Sequence, residues 1–236
     1  MVDIVILSCS ANDELKKQTT DCLDSLFLSE NDSENLFNVI VLESEDSVNW
    51  NSYPNTKTYK SPEPYGYHKY MNYGRKLGIN EYVCLCNNDL IFYKGWASHI
   101  LELSKAHPGI LSFSPICPRT QPLYGIQPNS ENYLGYEIRK HISGWCIFQK
   151  REIYEIIGDL DESFTHWFSD NDYALTLYTK GIQHCLVTHS IVEHHDKNVG
   201  KTGPAVLSDS EMYNMTSGSQ DLFTRKWDSY FSQIGK

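Results

Sequence analysis

Three short segments of this chain carry residue types able to hold a divalent cation and move a proton. The first is Asn87-Asn88-Asp89, which follows the apolar run Tyr82-Val83-Cys84-Leu85-Cys86 and precedes Leu90-Ile91-Phe92. A polar, acidic triplet at the tip of a buried strand is a place where a metal–diphosphate site can be built. Magnesium and manganese are hard cations that take oxygen ligands and bridge carboxylates to substrate phosphates. The same triplet is also good turn chemistry. The second segment, Phe168-Ser169-Asp170-Asn171-Asp172-Tyr173, opens a helical pattern. Helix capping accounts for acidic residues there, through the free N–H groups and the macrodipole. The competing reading has one carboxylate projecting into a site as a general base. In the third segment, Ser190-Ile191-Val192-Glu193-His194-His195-Asp196, a strand runs into two histidines. Adjacent strand residues face opposite ways, so at most one of the pair can serve a single metal.

The elements that must position these groups alternate between strand and helix signals, which argues for an α/β protein with a largely parallel sheet. Asp3 to Leu7 reads as a buried strand. Helix caps follow at Ser10–Asp13, then a helix from Glu14 to Leu28 with Leu15, Cys22, Leu23, Leu26 and Phe27 at helical spacing. Val39 to Leu42 is a second strand ending in Glu43-Ser44-Glu45-Asp46, and residues 49–64 read as loop around a short strand near Thr58-Tyr59. Tyr67 to Leu77 and Trp96 to Ala106 are predicted helices, closed by Gly78-Ile79-Asn80 and His107-Pro108-Gly109. Further strands are expected at Ile110–Phe113, His141–Phe148 and Cys185–Val192. Further helices are expected at Lys150–Ile157, Phe168–Lys180 and Leu222–Phe231. The stretch from Pro115 to Glu137 has little periodicity, and a long irregular insert is more often a binding loop than not.

Bulk properties exclude several classes. With 236 residues, 40% hydrophobic, the chain can bury one sizeable core, and a single decorated domain is expected. Mean hydropathy is -0.45 and no apolar stretch approaches a membrane span. The apolar start Met1–Leu7 reads as a strand rather than a signal peptide. A net charge of -10 argues against a broad polyanion-binding surface. The seven cysteines are an odd, scattered set, read as reduced thiols of a cytoplasmic protein. Cys84 and Cys86 alternate along a predicted strand and are expected not to chelate together from one face; without paired CxxC knuckles no structural zinc is expected. A nucleotidyltransferase would need a Gly-rich basic loop near the N-terminus, and Ser8 to Lys17 does not supply one.

Taken in order, the Asx-rich strand end, the acidic helix start and the strand-end histidine resemble the family 2 glycosyltransferases, which have the GT-A fold. The resemblance runs from Asp3 to about Phe231. Asn87-Asn88-Asp89 looks like the family's Asp-x-Asp motif, with Asn87 in place of the first Asp. Ile142-Ser143-Gly144-Trp145-Cys146-Ile147-Phe148, followed by Ile157-Gly158-Asp159-Leu160-Asp161-Glu162-Ser163-Phe164, closely resembles its Gly-rich strand and G-x-x-D-E-x-F stretch. Phe168–Asp172 looks like Glu-Asp-x-Asp with Ser169 replacing the Glu, and Lys226-Trp227 is similar to a pair near the family's C-terminus.

The resemblance implies a nucleoside-diphosphate sugar donor, a UDP-sugar above all, and Mn²⁺ or Mg²⁺ as cofactor. It implies Asp89 and His194 as metal ligands, with His195 the alternative, and Asp170 as catalytic base of an inverting transfer. Donor contacts are implied for Ser8 and Ser10, Glu43, Tyr67, Lys69, Asn72 and Arg75, for Asn87 and Asn88, and for Gly144 and Trp145. For Tyr67 the competing reading is core packing, and for Lys69 and Arg75 a solvated face. Residues 1–115 are expected to form the donor half, 116–207 the acceptor and catalytic half, and 208–236 a helical tail. The insert Cys117–Lys140, with Arg119, Arg139 and Lys140 its only basic residues, is expected to shape the acceptor side. The acceptor stays open between a saccharide or lipid-linked glycan and hydroxymethylated cytosine in DNA, as in phage-type enzymes. A non-catalytic GT-A-like binding module also stays open, since Asn87 and Ser169 replace two family carboxylates.

Overall fold

Nine strands form one central sheet in the computed structural model, which describes residues 1–45, 53–62, 64–195, 210, 213 and 216–234. The strands are β1 (Val2–Ser8), β2 (Phe37–Glu43), β3 (Lys57–Lys60), β4 (Tyr82–Cys86), β5 (Leu90–Phe92), β6 (Ser112–Ile116), β7 (Tyr133–Leu134), β8 (Cys146–Lys150) and β9 (His184–His194). Their order is β3-β2-β1-β4-β8-β6-β9-β5, with β7 also paired to β9. Strands β3, β2, β1 and β4 are mutually parallel. β8 enters antiparallel between β4 and β6, and β9 runs parallel to β6. The carboxyl ends of β1, β2, β4 and β9 and the amino end of β8 therefore share one edge of the sheet, where open α/β sheets place ligands.

Helices α1 (Asp13–Leu28), α2 (Ser33–Leu36), α3 (Tyr67–Leu77), α4 (Trp96–Ala106), α5 (Ile153–Ile157), α6 (Ser169–Thr179) and α7 (Ser217–Ile234) complete the described residues. β1 is apolar on both faces because it is covered on both. Ile4 and Ile6 join the α1/α4 side with Leu26, Trp96 and Phe148. Val5 joins the α3/α6 side with Met71, Ile147 and Leu177.

Two expectations change. The strand expected at His141–Phe148 starts only at Cys146 and continues to Lys150. Upstream, Ser143 N–H donates to Ser114 Oγ (3.0 Å) and Gln121 Nε2 to Ser143 Oγ (3.2 Å), so side-chain bonds replace a ladder that an apolar pattern alone cannot rule out. The reading of Cys84 and Cys86 is also corrected. Residues i and i+2 of a strand share a face, and the two sulfurs lie 3.4 Å apart, with Cys146 Sγ 3.7 Å from Cys84. Burial raises all three thiols well above their ordinary pKa. They pack as small apolar side chains beneath the sheet edge. The polar stretch Lys197 to Gly203 lies outside the described residues.

One buried polar knot fixes the opposite end of β1. Asp3, fully buried, accepts from Asn38 Nδ2 (2.6 Å), Asn80 N (2.8 Å) and Nδ2 (2.7 Å), and Arg151 Nη2 (2.5 Å). It ties β1 to β2, to the turn before β4 and to the turn after β8. Removing one partner of such a pair leaves a buried charge uncompensated. Arg151→Met should cost about 3–5 kcal/mol in urea unfolding, and adding Asp3→Asn should recover part of it. Additive losses in the double variant would show that the pair is not the source.

Candidate active site

At the shared sheet edge the chain leaves β4, turns through Asn87-Asn88-Asp89 and returns as β5. Pairing of β5 with β9 sets Leu90 opposite His194, so the side chain of Asp89 meets the imidazole of His194. Asp89 Oδ2 lies 3.2 Å from His194 Nε2. The other oxygen, Asp89 Oδ1, is buried and accepts no hydrogen bond among the described residues. An unsatisfied buried carboxylate oxygen is costly, and one beside an imidazole nitrogen is a fitting donor pair for a divalent ion. Trp145 stacks on the His194 ring at 5.4 Å and 12° and sets its plane. His195 turns the other way: its Nε2 lies 3.3 Å from Glu193 Oε1 but forms no hydrogen bond among the described residues, and Glu193 Oε2 accepts from Tyr93 Oη (2.9 Å).

The rest of the triplet is braced. Asn88 donates to Thr19 Oγ1 (2.9 Å) and accepts from Gln18 Nε2 (3.2 Å), which fastens the turn to α1. Asn87 donates its backbone N–H to the Trp145 carbonyl (2.9 Å) and turns its side chain toward Tyr67 Oη (3.5 Å). Tyr67 Oη donates to the Gly144 carbonyl (2.9 Å), and burial raises its pKa so that the proton stays.

Asp170 occupies the first turn of α6, and Phe168 before it has φ 64°, an unusual left-handed conformation for an aromatic residue. Gly144 faces Asp170 so closely that a Cβ on Gly144 would stand 2.8 Å from the Asp170 side chain. The two acidic residues of this turn have different roles. Asp172 is buried and bound by Trp227 Nε1 (2.9 Å) and Lys226 Nζ (2.8 Å) of α7. Asp170 lines a cavity of about 720 Å³ together with Asn87, Gly144, Trp145 and His194. Burial pushes the Asp170 carboxyl above its ordinary value; hydrogen bonds from the Asn171 and Asp170 backbone N–H groups and the charge of Arg139 pull it back in part.

A narrower cleft of about 110 Å³ continues past the triplet between the ends of β1 and β2 and is lined by Ser8, Cys9, Ser44, Tyr65, Tyr67 and Asn87–Asp89 among others. Glu43, expected to meet the nucleotide, is fully buried. Its carboxylate accepts from Ser8 Oγ (2.8 Å), Ser10 Oγ (2.7 Å), Ser10 N (2.9 Å) and Glu45 N (3.0 Å). Glu43 and Ser10 thus shape the cleft wall from behind, with Tyr53 closing the same network.

Three expected donor contacts lie elsewhere. Lys69 reaches the Pro64 carbonyl (3.2 Å). Asn72 is buried between the Leu160 carbonyl (2.8 Å) and amide (3.0 Å). Arg75 pairs with Asp159 and stacks on Tyr154 at 3.7 Å. The polarity of Asn72 and Arg75 serves the packing of α3 against residues 159–162. Sequence reasoning missed Tyr65, Tyr124, His166 and Trp167, all of which line the two cavities. Their only signal is aromatic residues in otherwise irregular segments.

No family model matches this chain, and no curated protein matches its sequence. Solved structures do match its fold. GalNAc-T7, determined with UDP, GalNAc and Mn²⁺, gives a TM-score of 0.69 at 12% identity over 97% of this chain and 48% of its own. The mannosyltransferase PcManGT of Pyrobaculum calidifontis, in complex with GDP-Man and Mn²⁺, gives 0.62 at 14% over 85% and 58%. S. aureus TarS 1-349 gives 0.60 at 13% over 81% and 59%. The chain spans about half to three-fifths of each. The fold is therefore GT-A, a central α/β sheet flanked by helices. No helix among the described residues is long and apolar enough to cross a membrane.

Two outcomes follow for Asp170. Gly144→Ala should displace its carboxylate while the fold survives, read as a shifted Asp170 carboxyl titration by NMR with an unchanged circular dichroism spectrum; an unchanged titration would show that the close approach is unimportant. Because the folded-state pKa is raised above the ordinary 3.8, the stability this group contributes is present below 3.8 and lost as pH rises through the raised value. Asp170→Asn should therefore melt higher than wild type at pH 7, with the gap closing near pH 4. An equal or lower Tm at pH 7 would contradict this.

Proposed function

We propose that this chain is a metal-dependent glycosyltransferase of the family 2 kind, moving a sugar from a nucleoside diphosphate, UDP above all, to an acceptor hydroxyl. The observation that carries the reading is the unsatisfied Asp89 Oδ1 beside His194, at the mouth of a cleft that opens into the cavity holding Asp170. Two structures of the same fold, one with UDP and one with GDP-Man, both with Mn²⁺, support it.

In this reading the nucleoside lies along the cleft past Ser8, Cys9 and Tyr65. The diphosphate lies at the triplet. Asp89 and His194 would hold a divalent ion, Mn²⁺ or Mg²⁺, which when bound would supply charge neutralisation for the leaving diphosphate. Asp170 takes the acceptor proton as oxygen attacks the anomeric carbon and the bond to the diphosphate breaks, a single displacement that inverts the configuration. The raised pKa of Asp170 makes its carboxylate a stronger base toward the acceptor hydroxyl. Residues 1–115 then carry the donor and residues 116–207 the acceptor chemistry, with the described part of the tail, α7, clamping α6.

The acceptor we favour is a saccharide. The cavity offers Leu123, Tyr124, Ile138 and Trp167, surfaces on which a sugar ring or apolar aglycone packs, and, among the described residues, only one Lys or Arg, Arg139. Hydroxymethylated DNA would require more cations than that. A non-catalytic binding module is the second reading, carried by Asn87 and Ser169.

The test is a thermal-shift panel of UDP-, GDP-, CDP- and dTDP-sugars with and without Mn²⁺, followed by donor hydrolysis without acceptor. One donor should raise Tm only with Mn²⁺ and be hydrolysed slowly, and Asp89→Asn should remove both effects. Asp170→Asn should keep the shift and lose turnover about 10²–10⁴-fold. A shift without hydrolysis in wild type supports the binding module, and no shift with any donor overturns both readings.

A further inference from the structure

Two cavities meet at this site, and only Tyr67, Asn87 and His166 line both. The inference that follows rests on the glycosyltransferase reading and asks what recognises the transferred sugar. The anomeric carbon must lie within reach of the diphosphate on one side and of the acceptor oxygen on the other. The sugar ring therefore sits where the cleft opens into the larger cavity, against the residues common to both walls.

Two of the three have other duties. Tyr67 Oη donates to the Gly144 carbonyl (2.9 Å), and Asn87 is the first residue of the metal turn and faces Tyr67. His166 differs. Its backbone is held from both flanks: Ser169 Oγ donates to the His166 carbonyl (2.6 Å), and the neighbouring Thr165 carbonyl accepts from Tyr67 N (2.7 Å). Its ring is held by Nδ1 against Tyr65 Oη (2.9 Å) and lies edge-on to Tyr67 at 6.2 Å. The residue as a whole nevertheless keeps exposed surface and lines both cavities at their junction. The other nitrogen, Nε2, makes no hydrogen bond among the described residues. Burial lowers the pKa of the ring, so the neutral imidazole prevails at pH 7. Whichever tautomer Tyr65 selects, Nε2 presents one fixed donor or acceptor to a hydroxyl.

We propose that His166 is a donor-sugar specificity residue, its Nε2 hydrogen-bonded to a ring hydroxyl of the transferred sugar. A rigid, single hydrogen-bonding position is what distinguishes hydroxyl epimers, because the wrong epimer leaves that nitrogen unpaired.

The test uses the full chain with Mn²⁺. Calorimetry measures UDP and GDP affinity, and hydrolysis measures kcat/KM for the epimer pairs UDP-glucose/UDP-galactose and UDP-GlcNAc/UDP-GalNAc and for GDP-mannose. The proteins are wild type, His166→Ala and His166→Gln. His166→Ala should keep nucleotide affinity within about twofold, lower kcat/KM for the preferred donor about tenfold and shrink its preference over the epimer by a similar factor. His166→Gln, which retains a hydrogen-bonding group, should recover part of the preference. Nucleotide binding and an epimer ratio both unchanged in His166→Ala overturn this inference alone. Loss of nucleotide affinity in His166→Ala with an unchanged epimer ratio also overturns it, in favour of a structural role. If wild type binds neither nucleotide, this inference falls together with the glycosyltransferase reading.

Discussion

A carboxylate oxygen that is buried and has no proton donor has few ways to lower its energy. Among the described residues Asp89 Oδ1 is such an atom, and the sheet holds it there. β4 ends at Cys86, the turn is braced by Asn88 against α1, and β5 pairs with β9 so that His194 stands across from it. A bound cation is the partner whose charge and ligand preference match that arrangement. The nearby features are arranged around this pair. Trp145 fixes the His194 plane, Asn87 bonds the Trp145 carbonyl, and the narrower cleft opens beside the turn.

The Asp170 carboxylate is positioned by different means. Gly144 lets α6 approach the entry to β8, and the left-handed Phe168 turns the chain into the helix. On the outer side α7 grips Asp172 through Lys226 and Trp227, and Phe223 packs on Phe168 at 5.5 Å. Asp170 is left between a glycine and a clamped turn, with its carboxylate in the cavity. Burial that makes it costly when ionised also makes it a stronger base, a trade of stability for chemistry common at active sites.

Much of this was legible in the sequence, for identifiable reasons. Long periodic segments such as Tyr67–Leu77 and Trp96–Ala106 coincide with their helices because periodicity reports directly on burial of one face. The triplet, Gly144, Asp170 and His194 could be singled out because their residue types are unusual at a strand end, in a strand entry or beside a helix start. Long-range partnership was not legible. Glu43 faces inward because Ser8, Ser10 and Tyr53 bind it, and Arg75 serves Asp159 and Tyr154. A sequence shows a charged residue near a site but not which neighbour claims it. His166 was missed because a loop histidine has no pattern; only the meeting of two cavities singles it out. The thiol pair was misread through strand parity, since Cys84 and Cys86 share a face.

The most direct test of the central claim is pulsed electron paramagnetic resonance of Mn²⁺ bound to the protein with UDP. Comparison of wild type, His194→Ala and His195→Ala reads the nitrogen coupled to the ion. The account predicts coupling from one imidazole in wild type and in His195→Ala, and none in His194→Ala. Coupling that survives in His194→Ala, or that disappears in His195→Ala, would contradict it.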